Sequence, residues 1–107
     1  MTAGNKVIPA LDNRAFSQQG VSQFGVNLRS NALVGEGSDP LGPGSGIATG
    51  DYGVPNQYTF RSGDIVAGVD VPNDITRYTT TYLVNVSPEQ PGGRYTTTIS
   101  YIATATF

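Results

Sequence analysis

The stretch "RYTTT" occurs twice, and the residues after each copy indicate the fold class. The sequence reads "RYTTTYLVNVS" at residues 77–87 and "RYTTTISYIATATF" at residues 94–107. Apolar and aromatic residues alternate with small polar ones, the period of two that is typical of a half-buried β-strand. The first copy places Tyr78, Tyr82, Val84 and Val86 on one face and leaves Leu83 on the polar face. We therefore interpret the repeat as one structural pattern used in two neighbouring strands.

The same alternation occurs earlier in the chain. In "VSQFGVNLRS", residues 21–30, Phe24, Val26 and Leu28 share a face. Shorter apolar rows occur at residues 58–60 and 65–71, and residues 7–9 predict an edge strand because proline cannot donate to a central ladder. Fourteen glycines and seven prolines supply turns. These patterns predict an all-β chain, an immunoglobulin-like Greek-key sandwich of about seven strands.

Two stretches predict loops. Residues 88–93, "PEQPGG", lead into Gly93-Arg94-Tyr95, a spacing that resembles the tyrosine corner of immunoglobulin-like sandwiches. Residues 35–53, "GEGSDPLGPGSGIATGDYG", form a long Gly-rich segment. Loops of this length inside compact domains are often functional, which makes Asp51 and Tyr52 candidate contact residues. The alternative is a surface loop without a special role.

A chain of 107 residues suits one domain. We divide it into residues 1–20, an N-terminal segment that serves as an edge or donor strand, and residues 21–107, the sandwich. The start of the chain has no basic and hydrophobic leader, so we expect no signal peptide within this sequence. The two alternatives are a cytoplasmic protein and a mature secreted segment that follows an added Met1.

Composition excludes several function classes. The net charge is −2 and the six basic residues are scattered, whereas nucleic-acid binding needs clustered positive charge. No apolar run reaches membrane-spanning length. The chain has no histidine and no cysteine, which removes the usual triads, thiol nucleophiles, zinc sites and haem ligands. We expect no enzyme, no nucleic-acid partner and no membrane insertion.

Carboxylates and one lysine leave three alternatives open. Asp64, Asp70, Asp74 and Glu89 are expected to be solvated turn residues rather than a catalytic pair. We expect no cofactor; calcium is the alternative, since loop carboxylates are suitable ligands, although no Asp-x-Asp-x-Asp-Gly pattern is present. Lys6 is the only lysine, and it is a candidate for an isopeptide bond with Asn85. The alternative is an exposed lysine near an edge strand.

Several segments carry a family resemblance. They are "FGVNLRSN" at residues 24–31, "NQYTFRSGDIVA" at 56–67, "YLVNV" at 82–86 and "GGRYTTTISYIATATF" at 92–107. Together they resemble the C-terminal β-sandwich region of secreted bacterial surface proteins, and they are loosely similar to WxL-type cell-wall domains. The chain has no tryptophan, so the Trp-x-Leu anchoring motifs are absent. The resemblance implies a secreted or cell-surface, non-catalytic sandwich.

We therefore expect a structural or adhesive module that is able to self-assemble into a filament by strand exchange. The last predicted strand ends at Phe107 and leaves an edge open, which a neighbouring copy could fill. The expected partner is another copy or another cell-surface component. The alternative function is a monomeric domain that binds glycan or protein. The residues predicted to mediate self-association lie in the N-terminal segment: Val7, Ile8, Leu11 and Phe16.

Overall fold

The structure, a computed structural model, describes residues 1–69 and 74–103. Its elements are short β-strands and one turn of 3-10 helix, which confirms the predicted all-β class. In chain order they are β1 (Thr2–Ala3), β2 (Lys6–Val7), β3 (Ala15–Phe16), β4 (Gln23–Asn27), β5 (Ile47–Ala48), the 3-10 turn (Gly50–Gly53), β6 (Gln57–Tyr58), β7 (Ala67–Gly68) and β8 (Thr81–Asn85).

The strands form four separate antiparallel pairs: β1 with β2, β3 with β6, β4 with β8, and β5 with β7. Single bridges extend these pairs, for example from Val26 to Thr59 and from Thr2 to Thr96. Within the described ranges the pairs do not join into a closed sandwich or a Greek key. Most ladders stop after two residues because glycine-containing turns and irregular segments interrupt them.

Strand β4 is the centre of the fold, and all five of its residues are buried. It pairs with β8 on one side and bridges Ala10 and Thr59 on the other. A Cβ added at Gly25 would lie 3.0 Å from the Cβ of Tyr58 and from the backbone nitrogen of Thr59. Glycine at position 25 therefore permits the close approach of residues 58–59 to β4.

The apolar core lies against one face of β4. Its buried side chains are Ile8, Phe24, Val26, Leu28 and Tyr52. The shared inward face predicted for Phe24, Val26 and Leu28 is therefore confirmed. The ring of Phe60 packs against that of Phe24 with 5.4 Å between centroids, within the range of favourable aromatic pairs.

The burial predicted along β8 is wrong, although the ladder places the predicted residues beside the core face of β4. Val26 stands opposite Tyr82 in the ladder, and Phe24 stands opposite Val84, so these residues share the core face. Yet Tyr82 is 52% exposed and Val84 is 44% exposed, because β8 is the outer strand of its pair. Leu83, which the alternation placed on the polar face, is buried instead, opposite Gly25 in the ladder.

The two RYTTT copies are not neighbouring strands, and that prediction is wrong. Arg77 in the first copy bridges Leu41, and Thr96 in the second bridges Thr2. Residues 97–103 join no strand or bridge with the rest of the described chain. Residues 104–107 of the predicted strand lie outside the described residues, as do residues 70 and 71 of the row at 65–71.

The Gly-rich segment is partly ordered into elements. It contains β5 and the 3-10 turn, and Leu41 exchanges backbone hydrogen bonds of 3.0 and 2.6 Å with Arg77. The carboxylate of Asp39 accepts hydrogen bonds from the Ser30 amide, at 2.9 Å, and from the Arg29 guanidinium, at 2.7 Å. The predicted loop at 35–53 is therefore a set of short connections fixed at several points.

Candidate functional site

Residues 1–16, the N-terminal arm, lie on the core of the same molecule. The four residues predicted to mediate self-association are on this arm, but they do not form one surface. Ile8 is 2% exposed and belongs to the core, and Leu11 is partly buried. Val7 and Phe16 are each 54% exposed. The role of these four residues in self-association stays a prediction.

Backbone hydrogen bonds hold the arm along its length. The Leu11 amide donates to the Phe24 carbonyl at 2.8 Å, and the Phe24 amide donates to the Pro9 carbonyl at 3.0 Å. Nearer the start of the arm, Thr2 and Thr96 exchange two bonds, of 2.9 and 2.7 Å. At its other end, β3 pairs with β6. The arm thus contributes a short parallel neighbour to β4 and an antiparallel partner to the C-terminal segment.

Side-chain charges tie the arm to residues 51–64. The Arg61 guanidinium donates to Asp51 at 2.9 Å, to Asp64 at 2.8 Å and to the backbone carbonyl of Asp12 at 3.0 Å. Arg14 on the arm donates to the other oxygen of Asp51 at 2.7 Å. Isolated exposed ion pairs contribute little, but here one carboxylate and one guanidinium are shared among several partners. Sequence reasoning missed this charged network.

Tyr52 lies directly beneath the network. Its ring is 2% exposed, and its hydroxyl donates to Asp64 at 2.7 Å while it accepts from the Arg61 amide at 3.1 Å. Burial raises the pKa of Tyr52, and the hydrogen bond to Asp64 adds to this effect. The hydrogen bond from Arg61, followed by that from Tyr52, lowers the pKa of Asp64.

The two predicted loop contacts therefore occupy different environments. Asp51 keeps about a third of its side chain exposed, at 34%, although it is engaged by Arg14 and Arg61. The Tyr52 ring is inside the core rather than on the loop surface. A contact role for these residues stays a prediction.

A second polar cluster is buried on the opposite face of β4. Asn27 is 0% exposed and Asn31 is 1% exposed, and each amide donates to the oxygen of the other, at 2.5 and 2.9 Å. The backbone N–H of Asn56 also donates to the side-chain oxygen of Asn31, at 2.8 Å. The sequence places Asn27 on the polar face but gives no sign that it is buried. The cluster is structural, because these amides satisfy one another away from water.

An open cleft of about 1490 Å³ lies beside the core. Its apolar walls include Val26, Leu28 and Phe60, and its outer parts include Ile65 and Ile102. Ile65 is 74% exposed and Ile102 is 91% exposed. Most of the lining comes from residues 60–69 and 98–102. The second of these ranges belongs to the segment 97–103, which joins no ladder within the described chain.

The isopeptide candidates are not brought together. Lys6 is exposed, and its Nζ donates to the Gly92 carbonyl at 2.8 Å. The Asn85 amide donates to Ser17 Oγ at 2.9 Å and to Gln23 Oε1 at 2.7 Å. This geometry favours the alternative of an exposed lysine on a short edge strand.

Two further sequence features have clear positions. The Tyr95 hydroxyl donates to the Pro91 carbonyl at 2.5 Å, which is the bond back to the preceding loop that a tyrosine corner makes.

Of the carboxylates considered for calcium or catalysis, Asp64 is in the charged network and Asp70 lies outside the described residues. Residues 1–69 and 74–103 contain no group of three or more metal-ligating side chains.

The chain matches no protein-family model, no curated protein and no solved structure. Among the described residues, no helix has the length and apolar character needed to cross a membrane.

Proposed function

We propose that the chain is a non-catalytic structural or adhesive module of a bacterial cell surface, and that copies of it associate by β-strand addition. The completed fold in this proposal is an immunoglobulin-like Greek-key sandwich, in which a strand from a second copy closes the open side. The all-β fold and the sequence resemblance to secreted bacterial surface domains support this proposal.

The observation that carries the proposal is the open cleft with an unpaired segment along it. Residues 97–103 are in no strand or bridge with the described chain, and residues 98–102 line the cleft of about 1490 Å³, whose walls are partly apolar and partly polar. Unpaired backbone beside apolar pockets is the arrangement that accepts an added strand. Residues 95–103, "YTTTISYIA", contain no charge and no proline, the residues that usually protect an edge from pairing.

Molar mass measured by light scattering across a concentration series tests the proposal. We expect the native chain to form larger species as its concentration rises. The double variant Ile65→Lys with Ile102→Lys places two charges on the cleft and should stay monomeric. Both side chains are exposed, so the fold should tolerate the change.

Leu33→Lys is the matched control, because Leu33 is 74% exposed, like Ile65, but does not line the cleft. This variant should associate like the native chain. A native chain that is monomeric at every concentration would contradict the proposal. Association that the cleft charges leave unchanged would contradict the role of the cleft.

The exposed tyrosines favour a second candidate function, a monomeric module that binds glycan or protein. Tyr82 is 52% exposed and Tyr101 is 58% exposed, and their hydroxyls contact each other. Aromatic faces of this kind suit stacking on sugars. A glycan-array signal that Tyr82→Ala and Tyr101→Ala abolish, from a protein that stays monomeric, would support this alternative.

A further inference from the structure

We propose that two copies of this chain exchange their N-terminal arms, so that residues 1–16 of one copy take the place of the same residues on the other. This inference deepens the proposed self-association and rests on it. It identifies a second interface, separate from the cleft, and commits to a second copy as the partner. The acceptor is the surface that the arm already occupies in its own molecule.

The contacts of the arm with the rest of the molecule are suited to exchange because a second arm can reproduce them. They include one apolar anchor, Ile8, backbone hydrogen bonds to Phe24 and Thr96, and the charged contact of Arg14 with Asp51. Each of these partners lies outside the arm. Exchange therefore replaces each contact with an identical one, and only the path of the connecting chain changes.

The link between the arm and β4 has the properties of a hinge. Residues 18–21, "QQGV", are exposed, and Gly20 has a φ of +82°, a conformation that favours glycine. None of the side chains of residues 18–21 is buried, so opening the link moves none of them out of the core. Fully extended, residues 17–22 span roughly 20 Å, enough to carry the arm to a neighbouring copy.

Concentration decides which form dominates. A short tether keeps the arm at an effective concentration in the millimolar range near its own acceptor, so folding in dilute solution favours the closed monomer. Refolding at protein concentrations near this range should allow exchange. Shortening the link by deleting Gln19 and Gly20 should raise the exchanged fraction several-fold, because the arm then reaches its own acceptor less easily. Insertion of four Gly and Ser residues should lower it.

The absence of cysteine from the chain allows a direct test. Thr2 and Thr96 exchange two backbone hydrogen bonds, so their Cα atoms lie at a separation that a disulfide accommodates. Thr2→Cys and Thr96→Cys chains would be unfolded together, refolded at high concentration and oxidised. We expect a covalent dimer that contains one chain of each kind, and little dimer when either variant is refolded alone.

A pair within the body of the domain gives the matched control. Leu41 and Arg77 exchange two backbone hydrogen bonds, as Thr2 and Thr96 do, and neither belongs to the arm or lines the cleft. A mixture of Leu41→Cys and Arg77→Cys chains should give little mixed dimer under the same conditions. Equal mixed dimer from both mixtures would indicate random collision and would overturn the inference, as would its absence from both.

The Thr2→Cys, Thr96→Cys double variant separates the two proposals. Oxidised as a dilute monomer, it holds the arm on its own molecule, and it should form no exchanged dimer until a reductant is added. Suppose that the two lysines in the cleft prevent assembly but the oxidised double variant assembles as the native chain does. That result would overturn arm exchange and leave the proposed function standing. A native chain that does not assemble at any concentration would overturn both proposals.

Discussion

The arm side of the core and the cleft side differ in how much of their apolar surface is covered and in how much of their backbone is hydrogen-bonded within the described chain. On the arm side, Ile8 is buried, the backbone of Leu11 pairs with Phe24, and Arg61 joins the arm to Asp51. On the cleft side, Ile65 and Ile102 are exposed. Within residues 1–69 and 74–103, the apolar core is therefore closed at one side by the arm and left open at the other. We expect the arm side to contribute more to the stability of the fold than the cleft side, whereas the proposed strand addition uses the cleft side.

The largest expected effect comes from removing a side chain beneath the charged network. Tyr52→Ala should lower the free energy of unfolding by about 3–5 kcal/mol, because it opens a cavity in the core and removes a buried hydrogen bond. Tyr82→Ala, at an exposed position, should change it by less than about 1 kcal/mol. Urea unfolding of both variants measures the difference. Equal losses would show that the two regions are packed alike.

The next effect concerns the anchor of the arm. Ile8→Ala should cost about 2–4 kcal/mol of unfolding free energy, because Ile8 is 2% exposed in the core. Val7→Ala changes the adjacent residue, which is 54% exposed, and should alter stability by about 0.5 kcal/mol or less. Chemical denaturation again provides the measurement. Near-zero effects from both variants would mean that the arm is not packed on the core in solution.

Acid should weaken the ionic contacts at two places. The pKa of Asp64 is lowered by Arg61 and Tyr52, and that of Asp39 is lowered by the Ser30 amide and Arg29. A lowered carboxyl pKa contributes stability that is present above the ordinary value of 3.8 and is lost as the pH falls through the lowered pKa. The urea midpoint should therefore decrease as the solution is acidified below that value.

Single variants separate the two acidic sites. Asp64→Asn and Asp39→Asn should each remove part of this pH dependence, and the double variant should remove more than either alone. Urea unfolding measured from neutral pH downward provides the comparison. A dependence on acid that the double variant retains in full would contradict the assignment to these carboxylates.

The smallest expected effect is local to the exposed tyrosine pair. The hydrogen bond with Tyr101, together with desolvation, raises the pKa of Tyr82 to about 12. Tyr101→Phe should return the Tyr82 pKa toward its ordinary value of 10.0 without changing the fold. Phenolate absorbance during an alkaline titration measures this shift. Tyr95→Phe is the control, and it should leave the titration of Tyr82 as it is in the native chain.

The sequence predicted which residues share a face better than it predicted which strands pair. Alternation identified the core face of Phe24, Val26 and Leu28, and it also put Tyr82 and Val84 on that face. A period of two fixes the side of a strand on which a residue lies, but carries no information about the element that covers it. For this reason the burial expected along β8 and the pairing of the two RYTTT copies were wrong.

The candidate site depends on contacts between distant parts of the chain. Arg14 meets Asp51 across 37 residues, and the Arg61 guanidinium reaches the Asp12 carbonyl across 49. Single charges at such separations give no local pattern. The Asn27–Asn31 pair is closer in sequence, and its spacing within "FGVNLRSN" was visible. Its burial is explained only by the position of β4 at the centre of the fold.

Amide hydrogen exchange of the native chain, measured at low and at high protein concentration, tests the central claim most directly. We predict that the amides of Phe24, Val26 and Thr59 exchange slowly at both concentrations, because each donates a backbone hydrogen bond in the core. The amides of residues 97–103 should exchange rapidly in dilute solution and become protected as copies associate. Strong protection of residues 97–103 in a dilute monomer would contradict the account, as would assembly that leaves them unprotected.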